Sequence, residues 1–162
     1  MYLTNKTSLR KATADDIAQI LEIESKATPA PWTQDGFSKE LSKPYSHFLV
    51  LTDDETDCMV LGYIVFWILK DECEIFNLAV HLEHRGLGYA KIMLRKALDK
   101  ALHANVKTIV LDVRKSNEAA ISLYQSLGFV IKHIRKNFYS KGQNAYEDAY
   151  HMNLLCEFLN IE

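Results

Sequence analysis

A chain of 162 residues favours one domain, here 1–162, and a 48% apolar fraction is enough for a packed core. Lysine and arginine number 19 against 21 acidic residues; the formal net charge of −2 argues against a general polyanion binder but leaves room for a local basic patch. Cys58, Cys73 and Cys156 are odd in number and form no CxxC pair. Residues 1–9 lack a basic start followed by an apolar run, and the longest apolar run, near Tyr63 to Leu69, is too short to cross a bilayer. These features lead us to expect a soluble cytoplasmic protein with reduced thiols, Cys58 and Cys73 being packing residues of strands.

In chain order, residues 8–12 read as a short first strand. Thr13 and Asp16 mark a helix start, and Ile17, Ile20, Leu21 and then Ile23 or Glu24 continue at helical spacing. Pro29 and Pro31 end this helix. Thr33 caps a second short helix through Leu41, with Phe37 and Leu41 one turn apart. Strands at 48–51, 59–69 and 74–80, with polar turns at 53–57 and 70–72, predict an antiparallel meander. Residues 88–104 are helical, and Ala90, Leu94, Ala97 and Ala101, with Ile92, Met93 and Leu98, form a broad apolar face. Residues 108–113 form a buried strand, 116–127 a helix stopped by Gly128, and 129–138 and 150–155 the last strands, with a polar loop at 140–144. The order β-α-α-β-β-β-α-β-α-β-β predicts an α/β fold. Its central sheet is mixed, with about seven strands, helices on both faces and a parallel crossover in the middle.

One junction carries chemistry. The strand ending at Val80 runs into Arg85-Gly86-Leu87-Gly88-Tyr89-Ala90, and a helix follows. The first turn of a helix leaves N–H groups unpaired, and with the helix dipole these make an anion site. Small residues at 86, 88 and 90 let an anion approach the backbone, and Arg85 adds charge. Alone, such a glycine pair also fits a plain tight turn. A P-loop is excluded because Gly-Lys-Ser/Thr is missing, and a dinucleotide fingerprint because the loop follows the fourth strand rather than the first. Further on, Asn117 and Tyr124 are seven residues apart and share one helix face, so both can line one groove; capping by Asn117 and packing by Tyr124 are the alternatives.

Arg85, Gly88 and Ala90 occupy the specified positions of the Arg/Gln-x-x-Gly-x-Gly/Ala motif, and the segment resembles that loop of the GNAT acetyltransferase superfamily. The resemblance implies the GNAT fold and acetyl-CoA as cosubstrate. It places the pyrophosphate on Gly86, Leu87, Gly88, Tyr89, Ala90 and Lys91 beside Arg85, and the pantetheine arm along Leu78, Ala79 and Val80. Asn117 joins the cofactor side. The likeness extends to Pro31-Trp32, Asn77-Leu78-Ala79-Val80, Leu111 to Tyr124, Leu127-Gly128-Phe129, Arg135 to Tyr139 and Glu147 to Met152, which are similar to the RimI family of bacterial N-terminal alanine acetyltransferases. That family modifies a small-subunit ribosomal protein, so the resemblance implies a protein N-terminus as partner, with no nucleic acid, membrane or metal.

The implied reaction moves acetyl from a thioester to an unprotonated amine, and an α-amino group, near ~7.7–8.0, loses its proton at little cost. The resemblance puts the general base at Asp112, the general acid at Tyr124 and the acceptor contacts at Trp32 and Tyr139, with direct transfer and no acyl-cysteine. Asp112 departs from the family pattern, which has glutamate there; the carboxylate is retracted by about one bond length, ~1.5 Å. An ion pair with Arg114, Lys115 or another cation is its structural alternative, and Glu74 is an alternative carboxylate. The six histidines have no metal-ligand spacing and read as surface or packing residues. Two rivals stand beside this reading: a GNAT enzyme for another protein N-terminus, lysine or small amine, and a non-catalytic acyl-CoA-binding module.

Overall fold

The computed structural model describes residues 6–55 and 59–159; Cys58 and part of the 53–57 turn lie outside the described residues. The chain runs β1 (Thr7–Lys11), α1 (Ile17–Ala27), α2 (Gln34–Ser42), β2 (Ser46–Asp53), β3 (Val60–Leu69), β4 (Glu72–Val80), α3 (Tyr89–His103), β5 (Thr108–Arg114), α4 (Glu118–Ser126), β6 (Val130–Gly142) and β7 (Ala145–Leu155). Short 3-10 turns precede α1, link β4 to α3 and follow β7. This is the predicted order. The sheet has seven strands in the order β1-β2-β3-β4-β5-β7-β6, antiparallel except for the β4–β5 pair.

Local chemistry sets the helix ends. The Thr33 hydroxyl accepts from Gly36 N at 3.1 Å, the expected cap of α2. The α3 helix stops where Asn105 turns left-handed (φ 57°), with Val106 N donating to Ala101 O and Asn105 N to Leu102 O. In α4 Gly128 (φ 97°) plays the same part, and Phe129 N closes onto Tyr124 O at 3.1 Å. That closure fixes Tyr124 at the last turn.

Two cores flank the sheet. On one face Ile17, Ile20 and Ile23 of α1 and Phe37 of α2 pack on Phe48, Val50, Tyr63 and Val65. On the other, Met93, Leu94, Ala97 and Ala101 of α3 meet Ile64, Phe66, Cys73, Ile109 and Leu111. Complete burial of a side chain such as Met93 or Leu94 contributes about 1.5–3 kcal/mol. Ile92, expected on this stripe, is exposed. Helix α3 comes close to β3 at Gly62, where a Cβ would lie 2.8 Å from Met93 Cε and from Ala79 O.

The expected loop at 140–144 is a correction. Strand β6 continues to Gly142, and the turn is Gln143-Asn144, both left-handed at φ 49° and 59°. Such a pair matches the twist of a two-residue hairpin, so the pairing reaches Gly142↔Ala145.

Candidate active site

The sheet is opened at its centre. Pairing of β4 with β5 runs from Glu72↔Thr108 to Ile75↔Leu111, and beyond that point β4 pairs only with β3. The split starts where the β3–β4 register jumps from Val65↔Asn77 to Phe66↔Ile75, which leaves Phe76 as the extra residue of a bulge. A bulge bends its strand, and here it separates residues 77–80 of β4 from Asp112–Arg114 of β5.

A cavity of about 250 Å³ occupies the split. It brings together Leu78, Asp112, Asn117 and Tyr124 with Trp32 and Tyr139. Leu111 and Val113 belong to the α3-side core, so alternation along β5 puts the Asp112 side chain on the opposite face. Tyr124 approaches from the α3 side. The opening therefore exposes an acid-capable phenol and a carboxylate to one space from two faces of the sheet.

The glycine loop borders this space without lining it. Ala79 and Val80 are buried, and Arg85 folds back to donate from Nε to Val80 O at 3.3 Å. Gly86 and Gly88 are left-handed at φ 79° and 82°, and a Cβ on either would meet nothing within 4 Å. Conformation, not crowding, requires glycine there. No side chain caps α3, whose first internal bond is Ile92 N to Gly88 O at 3.1 Å. The N–H groups ahead of it, at Tyr89, Ala90 and Lys91, are the unpaired first-turn donors of an anion site. Leu87 is exposed at the tip. These features fit an anion such as a pyrophosphate.

Tyr124 is buried against Phe129, with ring centroids 5.8 Å apart. Burial, and then neighbouring Tyr139, push its phenol above the ordinary range, so it stays protonated and able to donate. Tyr139 donates to the Asp112 backbone O at 2.9 Å and is pushed up to about 12, chiefly by burial and then by the Asp112 carboxylate. Asn117 both caps α4, accepting from Ala120 N at 3.2 Å, and lines the cavity.

The Asp112 carboxylate is 11% exposed and is held by Arg135 Nε at 3.2 Å and His151 Nδ1 at 2.9 Å. Arg114 and Lys115, the neighbours considered from sequence, go elsewhere. Arg114 donates to Glu147, Ser140 O and Thr28 and lies over the Tyr139 ring; Lys115 faces Tyr150. Glu147 feels burial first, yet its hydrogen bonds from Ser116 and Arg114 hold its carboxyl below the usual range. Glu74 is outside the cavity lining; burial first, then Asp112 and Glu72, raise its carboxyl.

Sequence reasoning missed the role of Glu24. Its buried carboxylate accepts from Trp32 N at 3.0 Å, Asn77 Nδ2 at 3.1 Å and the Tyr63 hydroxyl, which ties the Trp32 segment to β3 and β4. The signal was a charged residue at a position where the α1 apolar spacing called for a hydrophobe. His151 was read as surface or packing and is instead an Asp112 partner. Cys73 is fully buried, and burial first, then Cys156, Glu72 and Glu74, push its thiol up to about 12, which makes it a poor nucleophile. No group of three or more metal-ligand side chains occurs among the described residues, and none of their helices is long and apolar enough to cross a membrane.

Comparison with known proteins decides the family. The model of the acetyltransferase (GNAT) family matches residues 17–129. The chain belongs to the GNAT acetyltransferase family. Within this family it is 34% identical over 145 residues to a putative ribosomal protein bS18-alanine N-acetyltransferase of Bacillus subtilis, covering 88% of this chain and 94% of the relative. It is 33% identical to the bS18-alanine N-acetyltransferase of Salmonella typhimurium, over 86% and 90% of the two chains. The crystal structure of the Escherichia coli ribosomal-protein-S18-alanine N-acetyltransferase superposes with a TM-score of 0.83 at 28% identity, over 96% of this chain and all of the other. The mixed seven-stranded sheet is thus the GNAT fold, with RimI-like proportions along nearly the whole chain.

Proposed function

We propose that this GNAT protein transfers acetyl from acetyl-CoA to the α-amino group of an N-terminal alanine, that of a small-subunit ribosomal protein, by direct transfer in a ternary complex. The observation that carries the reading is the β4–β5 split, where Tyr124 and Asp112 line one cavity from opposite faces of the sheet. The full-length similarity to bS18-alanine acetyltransferases supports the substrate class.

Acetyl-CoA supplies the activated acetyl as a thioester. The first turn of α3 and Arg85 hold its phosphates, and Leu78, Ala79 and Val80 guide the arm toward the split. Asp112 takes one proton from the acceptor ammonium, the freed nitrogen forms the N–C bond to the acetyl carbon, and the C–S bond breaks as Tyr124 gives its proton to the departing sulfur; the second proton of the amine nitrogen then replaces the one Tyr124 gave up. Trp32 and Tyr139 flank the acceptor, and Glu24 and Arg114 hold the segments that carry them. Cys73 is buried and weakly acidic, and so poorly suited to carry the acyl group.

Peptides starting with alanine are compared with a lysine and polyamine panel, and with Asp112→Asn and Asp112→Glu variants. Turnover confined to the α-amine, and lost in Asp112→Asn, is expected. Preference for lysine or polyamines overturns the substrate, and acetyl-CoA binding with no transfer to any amine overturns the enzyme in favour of a binding module. An unaltered rate and pH profile in both variants overturns the base.

A further inference from the structure

Asp112, His151 and Arg135 come from three neighbouring strands. Asp112 and His151 are direct cross-strand partners on β5 and β7, and Arg135 reaches over from β6. Both contacts fall on one oxygen, Oδ1, from His151 Nδ1 at 2.9 Å and Arg135 Nε at 3.2 Å. Oδ2 accepts no hydrogen bond from the described residues. The His151 side chain is 16% exposed, and its ring stacks on His133 of β6 at 4.6 Å. Glu74 of β4 also lies within electrostatic reach of Asp112, Arg135 and His151.

An aspartate has about one bond length, ~1.5 Å, less reach than a glutamate. A short carboxylate compensates by being held still. Two contacts on Oδ1 restrict its rotamer and keep one oxygen as the available lone-pair site.

We propose that His151 is a positioning residue for the base: its imidazole donates from Nδ1–H to Oδ1 and so holds Asp112 with Oδ2 ready for the amine proton. The inference rests on Asp112 being the base of the proposed transfer. The proton leaving the ammonium ends on Oδ2, the nitrogen keeps the electron pair, and no other bond changes at Asp112 or His151.

The test measures kcat and KM for both substrates in the wild type, H151Q, H151A, D112N and the D112N/H151A double variant, with thermal unfolding to establish that each folds. Glutamine keeps a donor at this position. H151A is expected to lower kcat about ten- to hundredfold with both KM values unchanged, as a misplaced base does. H151Q is expected to recover most of that loss. In the D112N background H151A is expected to cost nothing further. Two results overturn the inference: no recovery of kcat in H151Q relative to H151A, or an H151A effect as large in D112N as in the wild type. If H151A does not fold, H151Q decides by keeping or losing the wild-type kcat. If D112N itself leaves kcat unchanged, the base assignment fails and the inference with it; if D112N lowers kcat and H151A does not, the inference alone fails.

Discussion

Replacing Tyr124 with phenylalanine separates catalysis from stability. The ring is 7% exposed and packs on Phe129, and phenylalanine keeps that contact. The hydroxyl makes no side-chain hydrogen bond among the described residues, and burial is the main influence on it, so its deletion breaks no pairing there. Stability is expected to change by less than about 1 kcal/mol. Loss of the proton donor is expected to lower kcat by about 10²–10⁴, or about 2.7–5.5 kcal/mol of barrier. Thiol release from acetyl-CoA, followed beside a thermal melt, measures both. The deficit is expected to shrink with an acyl donor whose thiol is more acidic, because a better leaving group needs less protonation. Since the phenol is raised, the wild-type kcat profile shows no Tyr124-dependent decline up to the ordinary phenol range, about pH 10. A folded Tyr124→Phe enzyme with wild-type kcat refutes the acid assignment.

Gly88→Ala puts a side chain at φ 82° where space is free, so a strain of about 1–2 kcal/mol and a raised KM for acetyl-CoA are expected, read from melts and initial rates. Glu24→Gln replaces an acceptor of three donors with a group that has one acceptor oxygen. A loss of about 1–3 kcal/mol and a raised acceptor KM are expected, with kcat retained. Asp16 is held below the usual carboxyl range mainly by the Arg10 guanidinium, at 2.8 Å on both oxygens, against the opposing pull of burial. A depressed folded value means stability that is present above the ordinary aspartate value and is lost as pH falls through the folded one. Asp16→Asn is therefore expected to cost about 1–2 kcal/mol in urea unfolding at about pH 7, allowing for the half-exposed Arg10, and progressively less as the pH is lowered below the ordinary aspartate value.

The element order was legible because each segment carries its own punctuation: Thr33, Gly128 and the turn after Leu69 act locally, and the structure keeps them. The glycine loop was legible for the same reason, since left-handed φ at Gly86 and Gly88 is a local demand. The hairpin at Gln143-Asn144 was not. Its residues lack the usual glycine at the turn, and Gly142 beside them reads as the loop itself. The sheet opening was also out of reach, because a bulge at Phe76 is a matter of register with β3 and leaves no mark in composition. Partners of Asp112 were sought among its neighbours in sequence, whereas strand order brings Arg135 and His151 across from later strands. Tertiary pairing, not spacing, decides which cation meets a carboxylate.

The decisive measurement is mass spectrometry of an alanine-starting peptide that also contains lysine, incubated with the protein and acetyl-CoA. One acetyl group on the α-nitrogen, made by the wild type and lost in Asp112→Asn and Tyr124→Phe, is the expected product. Acetyl on a lysine side chain, or an α-acetyl yield that neither substitution lowers, contradicts the proposed reaction.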